Sequence, residues 1–190
     1  MSTKYRHEWK HEINASDAIA VHSRMRVIAS PDPHAADGSY QIRSLYFDNL
    51  SDKALREKID GVNRREKFRI RYYNGDTSLI HLEKKSKMNG LCNKVSVPLT
   101  VQEAGWIVDG QTAWMTRSRY PLVQELYAKM RSQGLQPKTI VDYTRDPFVF
   151  APGNVRVTID YNIRTGMRCT DFLDWNCVTV LREMRLSYWK

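Results

Sequence analysis

Apolar and polar residues alternate with a period of two over most of the chain, and four stretches of helical spacing interrupt that alternation. The period-two segments predict strands at Tyr5–Asn14, Tyr40–Asp48, Lys67–Tyr73, Leu79–Lys87, Leu91–Leu99, Lys138–Phe150, Val155–Tyr161 and near Val178–Leu186. Asn74-Gly75-Asp76 and Asn89-Gly90 sit between consecutive strands and signal tight hairpins. Ser16-Asp17 caps a predicted helix that runs to about Val27. A short helix spans Asp52 to Asp60 and stops at Gly61. Thr100 and Glu103 are spaced as a capping box for a helix ending near Gly110. Pro121 opens the strongest helix, with Leu122, Val123, Leu126, Tyr127 and Met130 on one face and Gly134 at its end. The pattern is that of an α+β chain with an antiparallel sheet, either open or closed into a barrel.

The polar faces of these strands are unusual. Lys67, Arg69, Arg71 and Tyr73 share one side of their strand, opposite Phe68, Ile70 and Tyr72. His81, Glu83, Lys85 and Lys87 oppose Ile80 and Leu82. Lys94 and Ser96 oppose Val95 and Val97, and Arg156, Thr158 and Asp160 oppose Val155, Val157 and Ile159. Glu8, Lys10 and Glu12 share a face of the first strand, and Tyr143 and Arg145 share one further on. A single strand of this kind is usually a solvated face. Cations repeated on strand after strand repel one another at close range, and a polyanion within a shared interior offsets that repulsion. Arginine suits the task because its planar fork binds phosphate oxygens in pairs. Tyr46, Phe47 and Phe68 read as core.

The 190 residues fit one domain, and a formal net charge of +9 points to an anionic partner without naming it. Aromatic residues fall mainly opposite the cations, which argues against a stacking surface for nucleic acid. The three cysteines, Cys92, Cys169 and Cys177, form no C-x-x-C pair and read as free thiols rather than a disulfide framework. None of the five histidines has metal-ligand spacing. The polar N-terminus and the lack of a long apolar run lead to the expectation of a cytoplasmic protein.

Several motifs in order resemble the polyphosphate polymerase domain of the vacuolar transporter chaperone (VTC) family, one of the triphosphate tunnel metalloenzymes that also include the CYTH proteins. They are Arg6-His7-Glu8-Trp9-Lys10, Ser44-Leu45-Tyr46-Phe47-Asp48, Arg69-Ile70-Arg71, Leu82-Glu83-Lys84-Lys85-Ser86-Lys87, Tyr143-Thr144-Arg145 and Arg156-Val157-Thr158-Ile159-Asp160. Arg6 stands where the CYTH signature opens with Glu, which favours the VTC branch. The resemblance implies an antiparallel β-barrel forming a tunnel, with helices packed outside, across residues 1–190 as a single domain.

It further implies transfer of the γ-phosphate of ATP to a growing polyphosphate chain, with Mn²⁺ or Mg²⁺ as cofactor. Lys10, Arg69, Arg71 and Lys85 fall on catalytic positions, and Lys87, Lys94, Arg145 and Arg156 on phosphate-binding ones. Glu8, Glu83 and Glu183 are the implied metal ligands. ATP and polyphosphate are the expected partners, nucleic acid is not, and a membrane protein that receives the polymer is compatible with the resemblance. The C-terminus departs from the family's L-E-x-K-Y strand and following helix: Glu183 is either that metal ligand displaced by one residue, or the usual ending is missing. Two other readings stay open, a non-catalytic polyphosphate or inositol-polyphosphate binder and a metal-dependent triphosphatase.

Overall fold

A computed structural model describes residues 5–35, 37–167, 169–181 and 186–189. Its strands form one large antiparallel sheet. In chain order the elements are β1 (Arg6–His7), β2 (Lys10–Ile13), α1 (Ala15–Ile28), β3 (Ser30–Pro31), β4 (Tyr40–Asp48), α2 (Lys53–Ile59), β5 (Arg65–Tyr73), β6 (Asp76–Met88) and β7 (Leu91–Leu99). There follow α3 (Val101–Val108), a 3₁₀ turn (Ala113–Arg117), α4 (Pro121–Gln133), β8 (Gln136–Phe150), β9 (Val155–Thr165), β10 (Val180–Leu181) and β11 (Leu186–Trp189). The strand order is β1-β7-β6-β5-β4-β8-β9-β11-β2, with β10 on β9 and β3 on β8.

The two ends of that path are consecutive pieces of one N-terminal segment. The expected single strand Tyr5–Asn14 is interrupted at Glu8 and Trp9, so that β1 pairs with β7 and β2 pairs with β11. The hydrogen-bonded ladder is therefore not a closed ring, and the chain itself carries the sheet from one edge to the other. Of the last predicted strand, near Val178–Leu186, β10 holds Val180–Leu181 and β11 begins at Leu186, with 182–185 outside the described residues.

Both hairpin signals operate as expected. Asn74 and Gly75 have φ of 51° and 72°, and Asn89 and Gly90 have φ of 51° and 78°. Paired left-handed residues give a turn whose twist matches that of the flanking strands. Thr100 and Glu103 form the reciprocal capping box of α3. Asn14, rather than Ser16, caps α1: its side chain accepts a hydrogen bond from the Asp17 amide at 2.8 Å.

The main core lies between the outer face of the sheet and the helices. Leu45, Phe47, Phe68, Ile70, Tyr72, Ile80 and Leu82 meet Ala104, Ile107, Met115, Leu122, Val123 and Leu126. Each such side chain contributes about 1.5–3 kcal/mol on burial. Ion pairs Lys84–Glu125 (2.6 Å) and Lys129–Glu66 fasten α4 across β5 and β6. Helix α1 covers the other half through Ala18, Val21 and Met25, which pack on Phe148, Val157 and Ile159.

Cys169 and Cys177 are joined in a disulfide, which corrects the expectation of three free thiols; Cys92 alone is free and buried. Their spacing matches no sequence pattern, and a succession of turns after β9 brings them together. The loop they close places Phe172 in the core and Trp175 against Arg43, whose guanidinium lies 4.6 Å from the indole centre. Arg43 also donates to both carboxylate oxygens of Asp142, at 2.9 and 2.8 Å, and to the carbonyls of Asp174 and Trp175. No helix among the described residues is long and apolar enough to cross a membrane.

Candidate functional site: a basic interior

Strand register brings the cations together on the inner face. Lys67, Lys85 and Lys94 stand directly opposite one another on β5, β6 and β7. The next row runs Tyr46, Arg69, Glu83, Ser96, and the one after it Ser44, Arg71, His81, Pro98. Two residues further along each strand returns to the same face, so the rows line one interior. Like charges placed opposite across strands are destabilising, and here three lysines form an unbroken row.

Burial confirms that this face points inward. Arg71 is 3% exposed and Glu83 3%, although both are charged. Side chains also reach across the interior. Lys85 pairs with Glu8 from the segment between β1 and β2, and Glu8 lies 4.0 Å from Lys10. Arg71 Nη2 donates to the Tyr143 hydroxyl on β8 at 2.7 Å.

The carboxylates are already engaged. Glu83 accepts from Arg69 (2.6 and 2.7 Å) and from Lys94 (3.1 Å). Burial alone would raise its pKa, but Arg69, Arg71 and Lys94 outweigh burial and hold it at about 2. Glu8 behaves likewise: burial opposes ionisation, and Lys85, Lys10 and Arg6 pull its pKa below the usual carboxylate value. The lysines show the converse. Burial, together with Lys67 and Lys85, pushes the Lys10 ammonium down to about 6. Its side chain nevertheless keeps 43% exposure, because it is ringed by protein yet open to the interior space. Lys85 is lowered by burial and by Lys67 and Arg69, against the pull of Glu8.

Three inner-face cations, Lys67, Arg71 and Lys87, make no ion pair among the described residues. Arg71 is the most confined. Its Nε donates to Ser44 Oγ at 2.9 Å and its Nη2 to Tyr143, and both acceptors are hydroxyls. Leaving a buried cation without a counter-charge costs several kcal/mol, so such a group is expected where an anion is to be received.

The two remaining sequence-derived phosphate ligands are held differently. Arg145 forms a two-bond pair with Asp160, and Arg156 pairs with Asp32 and donates to the Tyr40 hydroxyl at 3.0 Å. Asp32 comes from the loop after β3. Asp32 is 4% exposed there. Glu183 lies outside the described residues.

Tyr46 is not core, as its place beside Phe47 suggested. It sits on the inner face, where Arg69 Nη1 donates to its hydroxyl at 2.9 Å and Lys67 lies 5.4 Å from its ring centre. Burial would raise its pKa, but Arg69, Lys67 and Arg71 together lower it. Ser44, Tyr46 and Lys67 were the inner-face residues least visible as site residues. Strand parity places Ser44 and Tyr46 there once the burial of Leu45 and Phe47 fixes the face of β4, and Lys67 there once that of Phe68 fixes the face of β5.

A divalent ion would need hard oxygen donors. Glu8 and Glu83 supply carboxylates of the right kind, and Mg²⁺ or Mn²⁺ commonly takes one or two carboxylates and completes its shell with phosphate oxygens and water. Among the described residues no three His, Cys, Asp or Glu side chains converge as a self-sufficient metal centre. Glu8 and Glu83 thus offer carboxylate oxygens that an ion completing its shell with phosphate would accept.

The chain has structural relatives. It superposes on a candidate adenylate cyclase from Bacillus halodurans with a TM-score of 0.56 at 10% identity, covering 97% of this chain and 80% of that one. It also superposes on a candidate adenylyl cyclase from Hippeastrum, described as having a dominant triphosphatase activity, with a TM-score of 0.55 at 10% identity, covering 96% and 77%. At that identity the likeness is one of fold, the triphosphate tunnel arrangement of an antiparallel sheet with external helices. No curated protein matches the sequence. The family model of the VTC domain matches residues 5–186. With that match spanning nearly the whole chain, the protein belongs to the VTC domain family.

Proposed function

We propose that this chain is an ATP-dependent polyphosphate polymerase, which transfers the γ-phosphate of ATP to the end of a polyphosphate chain held in its basic interior. The observation that carries the reading is Arg71, 3% exposed and held only by hydroxyls, beside the row Lys67, Lys85, Lys94. A linear polyphosphate is the anion whose repeating charge suits cations spaced along neighbouring strands.

In the transfer, a terminal oxygen of the acceptor chain forms a bond to the γ-phosphorus. The bond from that phosphorus to the β–γ bridging oxygen breaks, and ADP leaves with the electron pair. The acceptor is already an anion, so no general base has to remove a proton from it. Such a reaction asks for alignment and for neutralisation of charge on the transferred group. Arg69, Arg71, Lys67 and Lys85 lie in adjacent rows and serve both needs, with Lys10, Lys87 and Lys94 extending the cationic lining. Arg145 and Arg156 contribute as phosphate ligands on the far side if the incoming anion competes with Asp160 and Asp32. Glu8 and Glu83 would hold a Mg²⁺ or Mn²⁺ ion. When bound, that ion supplies further charge neutralisation to the phosphates.

Incubation of the protein with ATP and Mn²⁺ tests this directly. Polyphosphate should lengthen while ADP accumulates, and Arg71→Ala should abolish the product. Release of free phosphate alone would replace the polymerase with a triphosphatase, a reading that the Hippeastrum relative's described activity favours. Binding of polyphosphate without ATP turnover would select the non-catalytic binder, which the engagement of Glu8 and Glu83 by basic side chains favours.

A further inference from the structure

Strand β4 lies between the two strands whose inner faces carry Arg71 and Tyr143, namely β5 and β8. Opposite Arg71 and Arg69 its own inner face carries hydroxyls, those of Ser44 and Tyr46, and no carboxylate. Ser44 stands directly opposite Arg71, and Tyr46 directly opposite Arg69. In each case the hydroxyl accepts a hydrogen bond from the guanidinium it faces, at 2.9 Å. Ser44 is 0% exposed, and its side chain touches no other polar group among the hydrogen bonds of the described residues.

We propose that Ser44 and Tyr46 are positioning residues, which fix the orientation of Arg71 and Arg69 for phosphate while leaving the charge of Arg71 unspent. The proposal rests on the polyphosphate reading of the interior.

A carboxylate would hold a guanidinium at least as firmly, but it would also neutralise it. The protein uses that solution at Arg43 with Asp142, at Arg145 with Asp160 and at Arg69 with Glu83. At Arg71 it uses hydroxyls. With Nε directed to Ser44 and one Nη2 proton to Tyr143, the fork cannot rotate freely, and both Nη1 protons remain for an anion. An arginine side chain has much rotamer entropy to lose. Fixing it before the ligand arrives removes that cost from binding, which is the meaning of preorganisation.

Calorimetric titration of the full chain with tripolyphosphate tests the proposal, with thermal melting of each variant as the control. Ser44→Ala should weaken binding by roughly three- to ten-fold, the loss of one modest hydrogen bond, with the melting temperature essentially unchanged. Ser44→Thr keeps the hydroxyl and should restore affinity. Ser44→Asp, which places a counter-charge against Arg71, should keep the fold and weaken binding far more than Ser44→Ala does. Tyr46→Phe should act as Ser44→Ala does. Wild-type affinity in Ser44→Ala and Tyr46→Phe would overturn the proposal while leaving the binding site intact. Equal losses in Ser44→Ala and Ser44→Thr would also overturn it, by showing that packing and not the hydroxyl matters. A wild-type protein that does not bind tripolyphosphate would overturn both this proposal and the reading on which it rests.

Discussion

Arg145 and Asp160 face each other across β8 and β9 and join through two short hydrogen bonds, Nε to Oδ1 at 2.6 Å and Nη2 to Oδ2 at 2.7 Å. Arg71, two strands away, has only hydroxyl partners. The same residue type on the same inner face is thus balanced in one place and left as net charge in the other. The first arrangement favours the empty fold, and the second favours an anion.

That contrast predicts unequal effects on stability. Asp160→Ala strands the Arg145 guanidinium in a site where it is 18% exposed, and should cost about 3–5 kcal/mol. Arg71→Met removes a buried cation that makes no ion pair among the described residues, while Glu83 keeps Arg69 and Lys94, and should cost the ligand-free protein far less. Urea midpoints of the two variants check this. A large loss in Arg71→Met without ligand would mean that its charge is balanced within the fold.

Acid should weaken the fold through Glu83. Its carboxyl is held at about 2 by Arg69, Arg71 and Lys94 against the opposing effect of burial, compared with 4.5 when unperturbed. Below pH 4.5 the unfolded chain takes up a proton that the folded chain refuses. The stabilisation, about 3 kcal/mol, is therefore present above 4.5 and is lost as pH falls towards 2. Denaturation curves of the wild type and Glu83→Gln should differ at pH 6 and converge near pH 2.

Anion binding should draw a proton onto Lys10. Burial and the neighbouring Lys67 and Lys85 hold this ammonium at about 6, so that it is largely neutral at pH 8. A phosphate chain beside it favours the charged form. Calorimetry in buffers of different ionisation enthalpy should show greater proton uptake at pH 8 for the wild type than for Lys10→Met. The subtraction cancels the ligand's own protons.

The loop closed by Cys169 and Cys177 anchors Phe172 in the core and presents two carbonyls to Arg43. A loop of eight residues' separation constrains the unfolded chain by about 2–3 kcal/mol. Cys177→Ser, or reduction of the wild type, should lower the melting temperature by several degrees, and reduction should not affect the variant.

Much of this was legible in the sequence because a strand's faces alternate strictly. Phe68, Ile70 and Tyr72 had to point one way and Arg69 and Arg71 the other, and the Asn-Gly turns fixed which strands were neighbours. Tyr46 misled because an aromatic between Leu45 and Phe47 resembles core, whereas parity sends it to the side opposite both. The break at Glu8–Trp9 was invisible, since the sheet turns there to join two edges whose meeting depends on every intervening strand. The Asp32–Arg156 and Asp142–Arg43 pairs span long stretches of chain and leave no local pattern. The disulfide joins cysteines only eight residues apart, but their spacing matches no recognised pattern, and only the folded loop after β9 shows that they meet.

The most direct test is a crystal structure of the chain with tripolyphosphate and Mn²⁺. Phosphate oxygens should lie within hydrogen-bonding distance of Arg71 and Lys67, with Ser44 still holding the Arg71 fork. Tripolyphosphate bound only on the outer surface, with Arg71 still satisfied by Ser44 and Tyr143 alone, would rule out the basic interior as the phosphate site.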